Sequence, residues 1–277
     1  GKLKSEVTRV QTLKALSNLP VTELKLQINN ELEGLLSEIA CELCLLTQKQ
    51  DRILKLSSLE VLKNVIYLLK QKLPKQIQKD IVDVSTPYVK DEDFFLAQLA
   101  LEVLARIFEL NPTSSGIYNS SIDSCVKLSK SSLIQGNTTN RLAEVFNLIG
   151  VHKLSDPSKL FNSLISDLNK NCLVNVSKAL AGLILGVDKK TRADFIQLLL
   201  GKISSSNTEA ITKQVSLLTI SEIGKKTTFD DNKALLSMII TLFQSKEEDT
   251  KYHAAVALGG IAVGNITFYL PAVIELI

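Results

Sequence analysis

A short phrase recurs seven times along this chain: a small or β-branched residue, a large apolar one, and a further apolar residue three positions on. Its copies are Ala15-Leu16 with Leu19, Val61-Leu62 with Val65, Val103-Leu104 with Ile107, Val145-Phe146 with Ile149, Ala179-Leu180 with Leu183, Thr219-Ile220 with Ile223, and Ala257-Leu258 with Ile261. Successive large anchors stand 34 to 46 residues apart, a mean of about 40, which is the period of stacked two-helix repeats. No single repeat of that size buries its own apolar faces, so such a chain must fold by stacking each repeat on the next.

Other columns keep the same frame. Four residues before each anchor stand Thr12, Ser58, Ala100, Leu142, Val176, Ser216 and Ala254, mostly small, as close helix packing requires. Seven before it, four copies carry a cation: Arg9, Lys55, Lys213 and Lys251. Eleven before it, four carry an acid: Asp51, Asp93, Glu209 and Glu247. An acid there sits at the start of a helix, where the macrodipole favours negative charge by about 0.3 to 1 kcal/mol.

These periods predict an all-α fold, a HEAT/armadillo-type α-solenoid of about seven two-helix repeats forming one continuous superhelical array over 1–277. A second helix is expected over 4–18. Pairs follow over 28–47 with 51–70, 75–89 with 93–110, 116–130 with 138–151, 158–169 with 171–186, 190–203 with 209–226, and 231–244 with 247–263. A last half repeat begins near Ile266. Pro74 and Asn111-Pro112 mark turns. The short 34-residue spacing between Phe146 and Leu180 predicts a local irregularity near Asp156-Pro157.

Composition narrows function. The chain is 45% hydrophobic and 22% charged, which excludes a disordered tail. Its 32 basic and 29 acidic side chains leave a net charge of +3, far from the basic balance of a nucleic-acid binder. No apolar run approaches the roughly 18 residues of a bilayer span, so a soluble chain without a membrane anchor is expected. Beginning at Gly1 and stopping in an apolar stretch, it reads as a piece of something longer. The four cysteines, 41, 44, 125 and 172, lie in apolar segments and suit a reducing compartment better than a disulfide framework.

Catalytic chemistry finds little support. Cys41 and Cys44 have half the spacing of a zinc site, but no second pair of ligands accompanies them, and small apolar packing is the stronger reading. Gly224-Lys225-Lys226-Thr227 resembles the end of a phosphate loop, yet the expected upstream glycine is replaced by Thr219; a left-handed glycine ending a helix explains it better. Gly259, Gly260 and Gly264 are expected to permit close helix packing. The two histidines, His152 and His253, cannot support many acid–base schemes, and neither has a Ser, Cys or carboxylate partner that local spacing would recommend. The clusters Lys70, Lys72, Lys75 and Lys79, and Lys189, Lys190 and Arg192, are expected to be solvated repeat turns. No cofactor, metal or small-molecule substrate is implied.

A repeat stack offers instead an extended surface of second helices, where Lys14, Lys63, Arg106 and Lys178 are candidate partner contacts. The wording within the frame resembles the cullin-associated and neddylation-dissociated proteins, HEAT solenoids that regulate cullin-RING ubiquitin ligases. The resemblance rests on the segment from Leu3 to Leu16 (LKSEVTRVQTLKAL), on Ser131 to Gly136 (SSLIQG) and on Lys213 to Gly224 (KQVSLLTISEIG). It rests most on Tyr252 to Pro271 (YHAAVALGGIAVGNITFYLP). Ser221, where that family often has Gly, and Ile266-Thr267, where it often has Leu-Pro, mark a divergent homologue from the carboxy-terminal half.

The resemblance implies a non-enzymatic scaffold, in the cytoplasm and nucleus, that binds unneddylated cullin-RING scaffolds and regulates their assembly and substrate-receptor exchange. The alternative is another HEAT-repeat scaffold, such as an importin-type carrier.

Overall fold

A computed structural model of the protein describes residues 2–21, 28–110, 115–229 and 233–275. The Asn111-Pro112 turn and the first two residues of the helix expected at 231 lie outside them. Among the described residues there are fourteen α-helices, four short 3-10 turns and no strand. The helices are α1 (Glu6–Ser17), α2 (Asn30–Thr47), α3 (Arg52–Leu69), α4 (Lys75–Ser85), α5 (Phe94–Leu110), α6 (Asn119–Ser129) and α7 (Asn137–Val151). They continue with α8 (Pro157–Ile165), α9 (Leu173–Gly186), α10 (Lys189–Ser204), α11 (Ala210–Gly224), α12 (Lys233–Leu242), α13 (Glu248–Gly264) and α14 (Ile266–Glu275). Every expected helix is present, most within two or three residues of the predicted ends. Three are shortened because a 3-10 turn takes over at one end: Thr86–Tyr88 after α4, Ser115–Tyr118 before α6 and Lys170–Cys172 before α9.

Local chemistry explains the starts. Asp51 caps α3, its carboxylate accepting from the Ile53 and Leu54 amides, and Asp93 does the same for Phe95 and Leu96 at α5. Asp188 caps α10 and Asp156 caps α8, with Pro157 in the first turn, where its missing amide costs nothing. Glu209 and Glu247 occupy the same place before α11 and α13, but their longer side chains make no cap bond to the backbone. The acidic column of the sequence is therefore a capping column where it is Asp and an electrostatic one where it is Glu.

The chain divides into two compact units: Gly1–Leu128 with Gly136–Arg141, and Ser129–Gln135 with Leu142–Ile277. In the first, α2 packs on α3 and α4 on α5, while α1, α3 and α5 pack side by side as a layer of second helices and α2 and α4 as a layer of first helices. In the second, α8 packs on α9, α10 on α11 and α12 on α13, and α9, α11 and α13 form the corresponding second-helix layer. The anchors Leu62, Leu104, Phe146, Leu180, Ile220 and Leu258 are buried between the layers, each contributing about 1.5 to 3 kcal/mol by leaving water. Leu16, on α1, is half-buried. The residues four before the anchors are fully buried from Ser58 to Ala254, with Thr12 half-buried.

Glycines set the spacing in the second unit. A Cβ on Gly182 would stand 2.2 Å from the Ala143 carbonyl oxygen, one on Gly186 2.1 Å from that of Asn147, and one on Gly264 2.1 Å from that of Gly224. Backbones touch there. Gly260 and Gly264 thus do what the sequence implied, whereas Gly259 faces open space. Gly224 corrects the expectation: it is not left-handed but the last residue of α11, kept bare because a Cβ would meet Ile261 Cα at 2.8 Å. The expected irregularity is also found. Around the nine-residue α8, Lys153 and Asp167 take positive φ of 52° and 49°, strained positions for residues with a Cβ.

Candidate protein-interaction surface

The four candidate cations all lie on second helices, but differ in what they are free to do. Lys14 is exposed on α1. Arg106 is exposed on α5, paired with Glu109 at 3.1 Å and lying 5.8 Å from the Tyr67 ring of α3, whose ring also takes Lys70 Nζ at 5.0 Å. Lys63 is committed: its Nζ is 2.5 Å from Glu102 Oε2 and 3.0 Å from Glu60, with the side chain 20% exposed. Lys178 is half-buried on α9, in the second unit, and is engaged by neighbours. The first unit brings Lys14, Lys63 and Arg106 into one helix layer.

A set of cross-helix bonds orders that layer, and it was not foreseen. Glu102 on α5 gathers Lys63 from α3, Gln98 from its own helix and Arg141 from near the start of α7. Burial pushes its carboxyl up, but the bonds from Lys63 and Gln98 and the charges of Lys63 and Arg141 outweigh that and hold it below the usual carboxylate range. Arg52 reaches Asp93 at 2.5 Å, so one carboxylate both caps α5 and ties α3 to it. The Asn64 amide donates to the carbonyls of Leu16 and Ser17, satisfying the end of α1. The signal available in sequence was a complementary pair about one repeat apart: Arg52 and Asp93 are separated by 41 residues, Lys63 and Glu102 by 39.

The lysine clusters separate in the same way. Arg192 is spent on the carbonyls of Ile184, Leu185 and Val187, closing the end of α9, while Lys189 and Lys190 stay exposed. Lys72 reaches the Ile28 carbonyl and lies 3.4 Å from Glu33, whereas Lys75 and Lys79 are exposed.

Cys41 is exposed and Cys44 buried on α2. Burial, then Asp80, pushes the Cys44 thiol up to about 12 and raises Cys41 in the same sense. Those surroundings favour the thiol over the thiolate that metal ligation or nucleophilic attack needs. Among the described residues no group of three or more His, Cys, Asp and Glu is placed to hold a metal ion, and no described helix is long and apolar enough to cross a membrane. A groove of about 680 Å³ opens between α1 and α2, lined by Leu3, Leu16, Leu35, Ile39 and Ile77 with Cys41 at its side. His253 lies 2.5 Å from the Asp249 carbonyl oxygen.

Comparison with known proteins gives this surface a context. No protein-family model matches the chain. Cullin-associated NEDD8-dissociated protein 1 of Arabidopsis thaliana is 24% identical over 288 residues, covering 99% of this chain and 23% of the relative. The C-terminal part of cullin-associated NEDD8-dissociated protein 1 from Emericella nidulans is 23% identical over 281 residues, covering 99% of this chain and 26% of that protein. The chain thus spans about a quarter of the length of the curated relatives it matches.

A chain in the solved structure of Kap95p with RanGDP is 11% identical and aligns with 99% of this chain and 38% of its own length, at a TM-score of 0.52. That likeness concerns the fold, a HEAT/armadillo-type stack of two-helix repeats. Aligned over 99% of its length at 23 to 24% identity, the chain is similar to the cullin-associated NEDD8-dissociated proteins.

Proposed function

We propose that the chain is a non-catalytic repeat scaffold that helps bind unneddylated cullin-RING ligase scaffolds and regulate their assembly and substrate-receptor exchange, in the cytoplasm and nucleus. The observation that carries this reading is the alignment of 99% of the chain with proteins named for cullin association. The architecture suits it: side-by-side second helices offer many modest polar contacts over a broad area, with no need for a deep pocket. Lys14 and Arg106 are the contacts we favour, because both heads reach solvent, whereas Lys63 acts by holding the layer together. Lys178 contributes from the second unit.

The test is a side-by-side pull-down of unneddylated and neddylated cullin-RING complexes, with this chain and with the longer protein that contains it. Retention of the unneddylated complex alone supports the reading. Equal retention of both complexes, or of neither, overturns it and leaves a repeat scaffold for another class of protein partner.

A further inference from the structure

In a stack of repeats each unit normally touches only its two neighbours. The cross-helix side-chain bonds described above obey that rule, joining residues one repeat apart. One ion pair does not. Lys170 lies in the 3-10 turn that leads into α9, and Asp249 in the first turn of α13; their Nζ and Oδ2 are 2.6 Å apart although 79 residues separate them. Helix α11 packs against both α9 and α13, so the pair reaches past an entire repeat.

We infer that Lys170 and Asp249 form an ionic strap across α11 that holds the amino-terminal ends of α9 and α13 together and sets how widely the second helices of this unit splay. Both side chains are largely in water, 73% and 54% exposed, so the strap opens without uncovering any core. An exposed pair of this kind is weak and is screened by salt within about 10 Å at 0.1 M. Lys170 also feels Glu247, and His253 sits beside Asp249, so the first turn of α13 concentrates charge around the strap. One turn further along the same two helices stand Val174 and Tyr252, exposed apolar side chains on α9 and α13. Opening the strap changes the spacing between them, and with it the surface met by a partner that lies across these helices. This device stands independently of the cullin reading.

The test places spin labels at Val174→Cys and Tyr252→Cys, with the exposed Cys41 changed to Ser, and reads the label-to-label distance by pulsed electron paramagnetic resonance. The expected result is a short, narrow distribution at low salt that lengthens and broadens at high salt. Lys170→Gln, Lys170→Glu or Asp249→Lys should produce the open distribution at every salt concentration, and the swapped double variant Lys170→Glu with Asp249→Lys should restore the short one. All sites are at the surface, and circular dichroism confirms retained helicity. A distance that ignores salt and the single variants, or a swap that fails to restore it, overturns the inference.

Discussion

Whether a residue of this chain tolerates change depends on what its next few ångströms contain, and the glycines make the contrast sharpest. At Gly182 a new methyl group meets the Ala143 carbonyl, so Gly182→Ala is expected to destabilise by about 1 to 3 kcal/mol in urea unfolding, the usual cost of overpacking. Gly259, inside α13 with nothing within 4 Å, should behave oppositely, Gly259→Ala adding roughly 0.5 to 1 kcal/mol through helix propensity. Tyr118 is fully buried with a hydroxyl that has no hydrogen-bond partner among the described residues, so Tyr118→Phe should match or exceed the parent stability by about 1 kcal/mol. The sequence made the packing glycines Gly260 and Gly264 legible through their place beside the repeated anchor. It could not show which face of Gly224 or Gly259 meets a neighbour, because that depends on the azimuth of one helix against another.

At the scale of elements, helix ends were legible because short polar residues at fixed distances before the anchors act locally. The ties between helices were not, because a lysine's partner lies a repeat away and several acids compete for it. Asp93 serves both purposes. Asp93→Ala should cost more than the roughly 0.5 to 2 kcal/mol of a lost cap, and more than Asp51→Ala, because Arg52 also loses its partner.

Glu102 supplies a pH signature. Its folded-state pKa lies below the ordinary carboxylate value, so its contribution is complete above the unfolded value of about 4.3. That contribution is lost as pH falls through the folded value. Thermal melts from pH 7 to 3 should therefore show a smaller acid loss in Glu102→Gln than in the parent, with lower stability at pH 7. Equal acid slopes would mean that Glu102 is not the titrating group.

Over the whole molecule, the repeat period announced the fold, and the match to longer cullin-associated proteins supports the proposed role. Which side chains meet the partner was the least legible part, since a cation on a repeat surface looks the same in sequence whether it is free like Lys14 or spent like Lys63. Lys14→Glu should weaken binding to an unneddylated cullin-RING complex by up to about tenfold, some 1.4 kcal/mol, with unchanged melting; Lys63→Ala should lower melting first.

The most direct test of the central claim, that the second-helix layers carry the binding surface, is hydrogen–deuterium exchange of the chain with and without an unneddylated cullin-RING complex. New protection is expected in peptides from α1, α3, α5 and α9, with the first helices α2, α4, α8 and α10 unchanged. Protection confined to those first helices, or none at saturating complex, would contradict it.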